Sequence, residues 1–301
     1  MELAEEIRAL KEDRDAVLLA HNYQRPEVQD VADYVGDSLY LARRARESER
    51  SVIVFAGVRF MAETAKILNP ERTVLLPDPK AGCGLADAIT AEQVRAWKTQ
   101  HPGAAVVAYI NTSAEVKAEA DYCCTSSNAV KVVEQVPADR EVLFVPDLFL
   151  GDYVRRRTGR RIHLWAGDCP VHAKLRPEEL ASARAAHPGA PVIAHPECGC
   201  ASQVLPEVDR VLSTDGMVRF AEETRAPEVI VATEVGILHR MRRLNPATRF
   251  TPLDAGAICP YMKEIDLADV RDSLAEMRYR IDVPAPTAAR ARGVLERMIA
   301  T

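Results

Sequence analysis

The sequence predicts an α/β protein made of three copies of one unit. Each copy is a three-layer αβα domain around a small parallel sheet, and the copies are related by a pseudo-threefold axis. Three observations carry this. Apolar runs at Ala16–Ala20, Ala104–Ala108 and Ala190–Ala194 each end in alanine and are followed by a ring-bearing polar residue, His21, Tyr109 and His195. Asp33, Asp121 and Asp209 come next, at a constant interval of 88 residues (33 to 121, 121 to 209). Glycine-containing loops with one cysteine each then close the copies: Ala81-Gly82-Cys83, Gly167-Asp168-Cys169 and Gly256-Ala257-Ile258-Cys259.

Taken in order, each copy opens with an amphipathic helix: Leu3–Lys11, Ala91–Thr99 and Pro177–Ala186. In the first, Leu3, Ile7 and Leu10 make an apolar stripe at helical spacing. The first strand and its aspartate follow, and five residues after the aspartate stand Ser38, Ser126 and Thr214. Helices are expected at Leu39–Arg46, Ala129–Gln135 and Met217–Glu223. A second apolar strand (Val52–Phe55, Val142–Val145, Val229–Val231) leads into another helical stretch. A further strand (Thr73–Leu76, Arg161–Trp165, Arg249–Leu253) runs to the cysteine loop. Short buried-type strands alternating with helices ask for parallel βαβ units with right-handed crossovers. The units are expected at residues 1–86, 87–172 and 173–262, closely packed because no Gly/Ser linker separates them. A helical extension, 263–301, with helices Leu267–Met277 and Ala288–Ile299, is expected to pack back on the first unit.

Composition narrows the function. The chain has 301 residues, 48% hydrophobic and 28% charged, with a net charge of −5. That apolar fraction supports a sizeable core and excludes a disordered chain. The mild acidity gives no reason to expect nucleic acid or an anionic membrane as partner. No apolar run approaches the ~20 residues of a membrane span, and the start is an acidic amphipathic helix rather than a basic signal peptide. A soluble, cytoplasmic protein is expected. Its seven cysteines, an odd number, suit metal or redox chemistry better than disulfides.

A single cysteine is more often packing than ligand. Three in register are different, because a threefold axis brings Cys83, Cys169 and Cys259 to one point. Three thiolates without a fourth partner leave one metal position open. Residues i and i+2 of a strand share a side, so His21 with Tyr23, Tyr109 with Asn111, and His195 with Glu197 are expected to face the same centre. Strand carboxyl ends are where parallel sheets hold ligands. Ser38, Ser126, Ser213 and Thr214 stand where helices begin, as caps or as anion-binding groups. His101, His163, His187 and His239 are read as structural, and Cys123-Cys124 as packing. Cys198-Gly199-Cys200 beside His195 offers a separate zinc arrangement, though without a second Cys-x-x-Cys arm.

With these residues in view the chain resembles the quinolinate synthase family, iron–sulfur enzymes of NAD biosynthesis. The resemblance runs along nearly the whole chain. It rests on Ala20-His21-Asn22-Tyr23-Gln24, Val35-Gly36-Asp37-Ser38, Tyr109-Ile110-Asn111-Thr112-Ser113 and Cys124-Thr125-Ser126-Ser127-Asn128-Ala129. It continues in Cys169-Pro170-Val171-His172, His195-Pro196-Glu197-Cys198, Thr233-Glu234-Val235-Gly236 and Cys259-Pro260-Tyr261-Met262-Lys263. Gly199-Cys200 departs from the pattern and puts only the role of Cys200 in doubt.

The resemblance implies a 4Fe–4S cluster on Cys83, Cys169 and Cys259 with one iron free of protein ligand. It implies condensation of iminoaspartate with dihydroxyacetone phosphate to quinolinate, phosphate and two waters, and a functional link to an enzyme that produces iminoaspartate. With no net electron transfer, the cluster acts as a Lewis acid. Glu197 is then the expected general acid/base, with Tyr23 and His21 assisting. Tyr109 and Asn111 orient the intermediate, while Ser38, Ser126, Ser213, Thr214 and His195 bind phosphate and carboxylates. Two readings of other classes stand beside it: an iron–sulfur sensor or electron carrier, and a zinc hydrolase at His195, Cys198 and Cys200.

Overall fold

The apolar runs are too short for helices and too continuous for half-exposed strands, so they become strands of parallel sheets covered on both faces. A computed structural model of the chain describes residues 2–199 and 208–301. The first sheet holds Ala16–His21 (β1), Tyr34–Gly36 (β2), Val52–Ala56 (β3) and Thr73–Leu75 (β4), in the order β2-β1-β3-β4. The second holds Ala105–Tyr109 (β5), Tyr122–Cys124 (β6), Val142–Val145 (β7) and Ile162–Leu164 (β8), in the order β6-β5-β7-β8. The third holds Val192–Ala194 (β9), Arg210–Val211 (β10), Glu228–Ala232 (β11) and Arg249–Pro252 (β12), in the order β10-β9-β11-β12. Every pairing is parallel. Every residue of β1, β3, β5, β7 and β9 is buried. The expected three-copy α/β architecture is the observed one.

The repeated aspartates have a structural reason. Asp33, Asp121 and Asp209 each accept a backbone N–H from the neighbouring strand (Leu18, Val106 and Val192), at 2.8 Å in all three copies. Each also donates its own N–H back to the carbonyl of that same residue, at 2.9, 2.9 and 3.0 Å. The carboxylate thus closes a ring on a strand N–H just where pairing with the short edge strand begins, and the identical geometry explains the constant spacing.

In each sheet the chain leaves the boundary between its two central strands in opposite directions, which opens a crevice at their carboxyl ends. Polar bonds tie the three crevices together. Asn22 donates to Thr214 Oγ1 at 3.1 Å, and Ser127 donates to Asp37 Oδ2 at 2.5 Å. Glu63 accepts the Ala114 N–H at 3.1 Å.

The C-terminal extension finishes the first unit and ties it to the second. Helix Leu267–Glu276 lies against Leu3–Asp13. It stops one residue before the expected end because Met277 takes a left-handed φ of 55°. Residues 279–281 run antiparallel along β4 and cover that sheet edge. The last helix, Ala285–Ala300, begins three residues earlier than expected, since a proline in the first turn has no N–H to lose. It accepts Arg43 at Ile299 O and Asn128 at Met298 O, and Arg297 donates to Asp121 O. Among the described residues no helix is long and apolar enough to cross a membrane.

Candidate functional site

The three crevices open into one shared cavity. The ends of β1 and β5 deliver His21 and Tyr109 to its wall, and the residue after β9 delivers His195. Tyr23, Asn111 and Glu197, two residues on from each, reach the same wall. Two of the three copies use one backbone device. The N–H of Tyr23 donates to His21 Nδ1 at 3.1 Å, and the N–H of Glu197 donates to His195 Nδ1 at 3.4 Å. With Nδ1 accepting, the ring proton of the neutral imidazole sits on Nε2. His195 Nε2 faces Ser126 Oγ at 3.2 Å. Burial is the main force on both rings and holds them neutral, His21 down to about 3 and His195 down to about 4.

The cysteines line the same cavity and sit in equivalent turns. The carbonyl of Cys83 accepts the N–H of Asp87, that of Cys169 the N–H of Ala173, and that of Cys259 the N–H of Lys263, at 3.1, 2.9 and 3.2 Å. Each sulfur also receives a backbone N–H from the third residue on, Ala86, His172 or Met262. Glycine is required in the middle loop, where a Cβ on Gly167 would meet the Pro146 carbonyl at 2.6 Å. Desolvation pushes the Cys83 thiol up to about 12 and raises the other two as well.

Between these two sets lies His172. Its Nδ1 is 3.0 Å from Glu197 Oε2 and 3.2 Å from Cys169 Sγ, and its Nε2 is 2.8 Å from Thr233 Oγ1. Tyr23 Oη closes the chain at 2.5 Å from Thr233 Oγ1 and 3.3 Å from His172 Nε2. Burial opposes a charge on His172, but Cys169 and Glu197 outweigh it and raise the ring to about 10. Burial likewise opposes the Glu197 carboxylate, and His195 with His172 outweighs it, so the carboxyl is held below its usual range. Tyr23 and Tyr109 are raised well above the usual phenol range, by burial first and by the Glu197 charge second, and stay protonated donors.

The helix-start hydroxyls divide. Ser38, Ser126 and Thr214 line the cavity. Ser213 instead accepts the Gly216 N–H at 3.2 Å and caps Thr214–Glu223. Ser38 is inside its helix rather than capping it, because Asp37 accepts the Tyr40 N–H at 2.8 Å. Ser126 precedes Asn128, where helix Ala129–Glu134 starts. Cys123 and Cys124 are core residues. The alternative zinc arrangement is not assembled among the described residues: Cys198 Sγ donates to the Ala232 carbonyl at 3.0 Å, and His195 Nε2 faces Ser126 Oγ at 3.2 Å. Cys200 lies outside the described residues.

Three site residues received no role from the sequence. His172 was findable from Cys-x-x-His, since positions i and i+3 of a helical turn are neighbours. Thr233 and Glu234 follow β11, the other strand flanking the third crevice. Glu234 is fully buried, accepts the N–H of Cys259 at 3.1 Å and pairs with Lys263 at 2.8 Å, so it anchors the third cysteine turn. Lys263 in turn donates to the carbonyl of Tyr23.

Three α/β units meeting at one cavity, with a carboxylate–imidazole pair beside three cysteines, define an α/β enzyme built in three copies. The chain belongs to the quinolinate synthetase A protein family, whose model matches residues 5–300. It is similar to a quinolinate synthase from Thermus thermophilus, 57% identical across 99% of this chain and 97% of that protein. Quinolinate synthases from a Mycobacterium species and from Mycobacterium tuberculosis are 55% and 53% identical. They cover 99% and 98% of this chain, and 91% and 88% of their own lengths.

Proposed function

We propose that this chain condenses iminoaspartate with dihydroxyacetone phosphate to quinolinate, releasing phosphate and two waters, in the cytoplasmic synthesis of NAD. Another enzyme supplies the iminoaspartate. The carrying observation is that the three register-matched cysteines share one cavity with His21, Tyr109, His195 and Glu197. In this reading Cys83, Cys169 and Cys259 hold a 4Fe–4S cluster. The donor set fits that group. The thiols lie in equivalent turns with N–H groups aimed at their sulfurs, and burial disfavours bare thiolates unless a cationic centre binds them. When bound, the cluster supplies Lewis acidity at an iron without protein ligand.

The chain's own residues do the rest. Glu197 is the general acid/base. One of its oxygens faces His172, and its Oε1 has no hydrogen-bond partner of its own and is ready to take a substrate proton. His172 balances its charge. Tyr23 and His21 assist, and Tyr109 with Asn111, whose Oδ1 is also unpartnered, orients the intermediate. Ser38, Ser126, Thr214 and His195 hold phosphate and carboxylates, and Ser213 fixes the helix that carries Thr214. The test is anaerobic purification followed by metal, sulfide and turnover analysis. About four irons and four sulfides per chain with quinolinate formed from the two substrates support the reading, whereas a zinc-free chain that takes up neither iron nor sulfide overturns it.

A further inference from the structure

One group of donors is not accounted for by three cysteines on one cluster. Among the described residues, Cys169, His172 and Glu197 are the Cys, His, Asp or Glu trio whose ligand atoms all lie within 4.8 Å of one another. His172 Nδ1 stands between the other two, 3.2 Å from Cys169 Sγ and 3.0 Å from Glu197 Oε2. Cys83 and Cys259 take no part in it. The thiol, imidazole and carboxylate set is the one that borderline divalent ions accept, with three protein ligands and a fourth place left to water. Four donors around a zinc ion at bond lengths of ~2.0–2.3 Å sit ~3–4 Å apart, and His172 Nδ1 stands at that distance from both of the others. A second observation points the same way: Glu197 lines the cavity, and its Oε1 is buried with no hydrogen-bond partner.

We propose that the cluster-free chain binds a single zinc-class divalent ion through Cys169 Sγ, His172 Nδ1 and a carboxylate oxygen of Glu197. Binding releases the thiol proton and any proton on Nδ1 to solvent, and no electron moves. Cys169 serves both the ion and the cluster, so the two exclude one another, and zinc taken up first blocks cluster loading. The ion site stands without the functional reading above; only this exclusion rests on it.

Cobalt(II) is the probe, added to folded chain prepared free of iron and sulfide. The expected result is saturation at one cobalt per chain, with a thiolate charge-transfer band and visible bands of tetrahedral intensity, all bleached by one equivalent of zinc. Cys169→Ser abolishes the charge-transfer band. His172→Gln and Glu197→Gln each weaken binding at least ~10-fold. Cys83→Ser and Cys259→Ser leave band and stoichiometry unchanged, and they control for unfolding because they alter the same atom in equivalent turns. A band that survives in C169S, that vanishes in C83S or C259S, or that never forms overturns the ion site. In a second arm, zinc bound beforehand lowers iron and sulfide incorporation in the wild-type chain, and at least ~10-fold more zinc is needed in E197Q. Normal incorporation beside bound zinc overturns the exclusion alone. A chain that takes up no iron or sulfide even without zinc overturns the functional reading and leaves the cobalt result intact.

Discussion

His21 and His195 at the strand ends and His172 in the cysteine turn are almost equally buried, at 6%, 4% and 2% exposure. Yet the first two are held neutral, down to about 3 and about 4, while the third is raised to about 10. Desolvation alone would neutralise all three. The surroundings of Nδ1 decide: a backbone N–H for His21, a backbone N–H with the Glu197 carboxylate at 3.5 Å for His195, and the Cys169 sulfur at 3.2 Å with that carboxylate at 3.0 Å for His172. The cavity thus keeps two imidazoles as Nε2–H donors and one as the counter-charge of Glu197. Equal burial yields opposite charge because the neighbours differ.

The largest effect follows from breaking the charged side. Glu197→Gln removes the base and the anion at His172 together. Turnover is expected to fall ~10²–10⁴-fold, with iron and sulfide content unchanged. In the same variant the His172 ring titrates closer to the ordinary ~6.5, which nitrogen-15 spectra of the labelled ring follow directly. Near-wild-type turnover removes Glu197 from the chemistry, and an unmoved His172 titration removes it as the source of that ring's charge.

The neutral side is sharpened by pH. A histidine whose folded value lies below its unfolded ~6.5 binds its proton more readily in the unfolded chain. The stability associated with neutral His21 and His195 is therefore present above ~6.5 and lost as pH falls toward about 3. Melting temperatures of the chain between pH 7 and 4 should drop, and the drop should shrink in His21→Asn. A flat profile in the wild type contradicts the assignment.

Smaller effects test the scaffold behind the strand ends. Asp33→Ala, Asp121→Ala and Asp209→Ala each free one strand N–H and should cost ~1–3 kcal/mol in denaturant unfolding. Similar losses in all three are expected from the identical 2.8 Å geometry. The smallest pair separates the hydroxyls. Ser213→Ala should cost ~1 kcal/mol as a lost cap. Ser38→Ala should stay within ~0.5 kcal/mol and instead raise the KM for dihydroxyacetone phosphate. Equal stability losses in the two contradict the division.

Much of this was legible early, for reasons that particular residues show. The constant spacing of Asp33, Asp121 and Asp209 survives because each copy needs the same carboxylate against the same strand N–H. His21, Tyr109 and His195 were legible because parallel strands place their carboxyl-terminal residues toward one crevice. The caps were less so: Asp37 displaced Ser38 because a neighbouring carboxylate reaches the N3 N–H from a better position. Glu234 was hidden, since its task is to hold the Cys259 turn, and nothing in a single strand announces a bond to a loop 25 residues away.

By itself the sequence determined the three-copy α/β fold, the buried strands and the register of Cys83, Cys169 and Cys259, because these rest on periodicity and on chemistry local to each copy. Only the tertiary structure decided that His172 stands between Cys169 and Glu197, that Ser213 caps while Ser126 faces His195, and that one histidine is charged among three. The His172–Glu197 and His195–Ser126 contacts depend on distances between side chains from different units, whereas the Ser213 cap is a local choice between a backbone N–H and the cavity. A charge state inside a protein is set by such distances and by the loss of water around them, neither of which is written in the spacing along the chain.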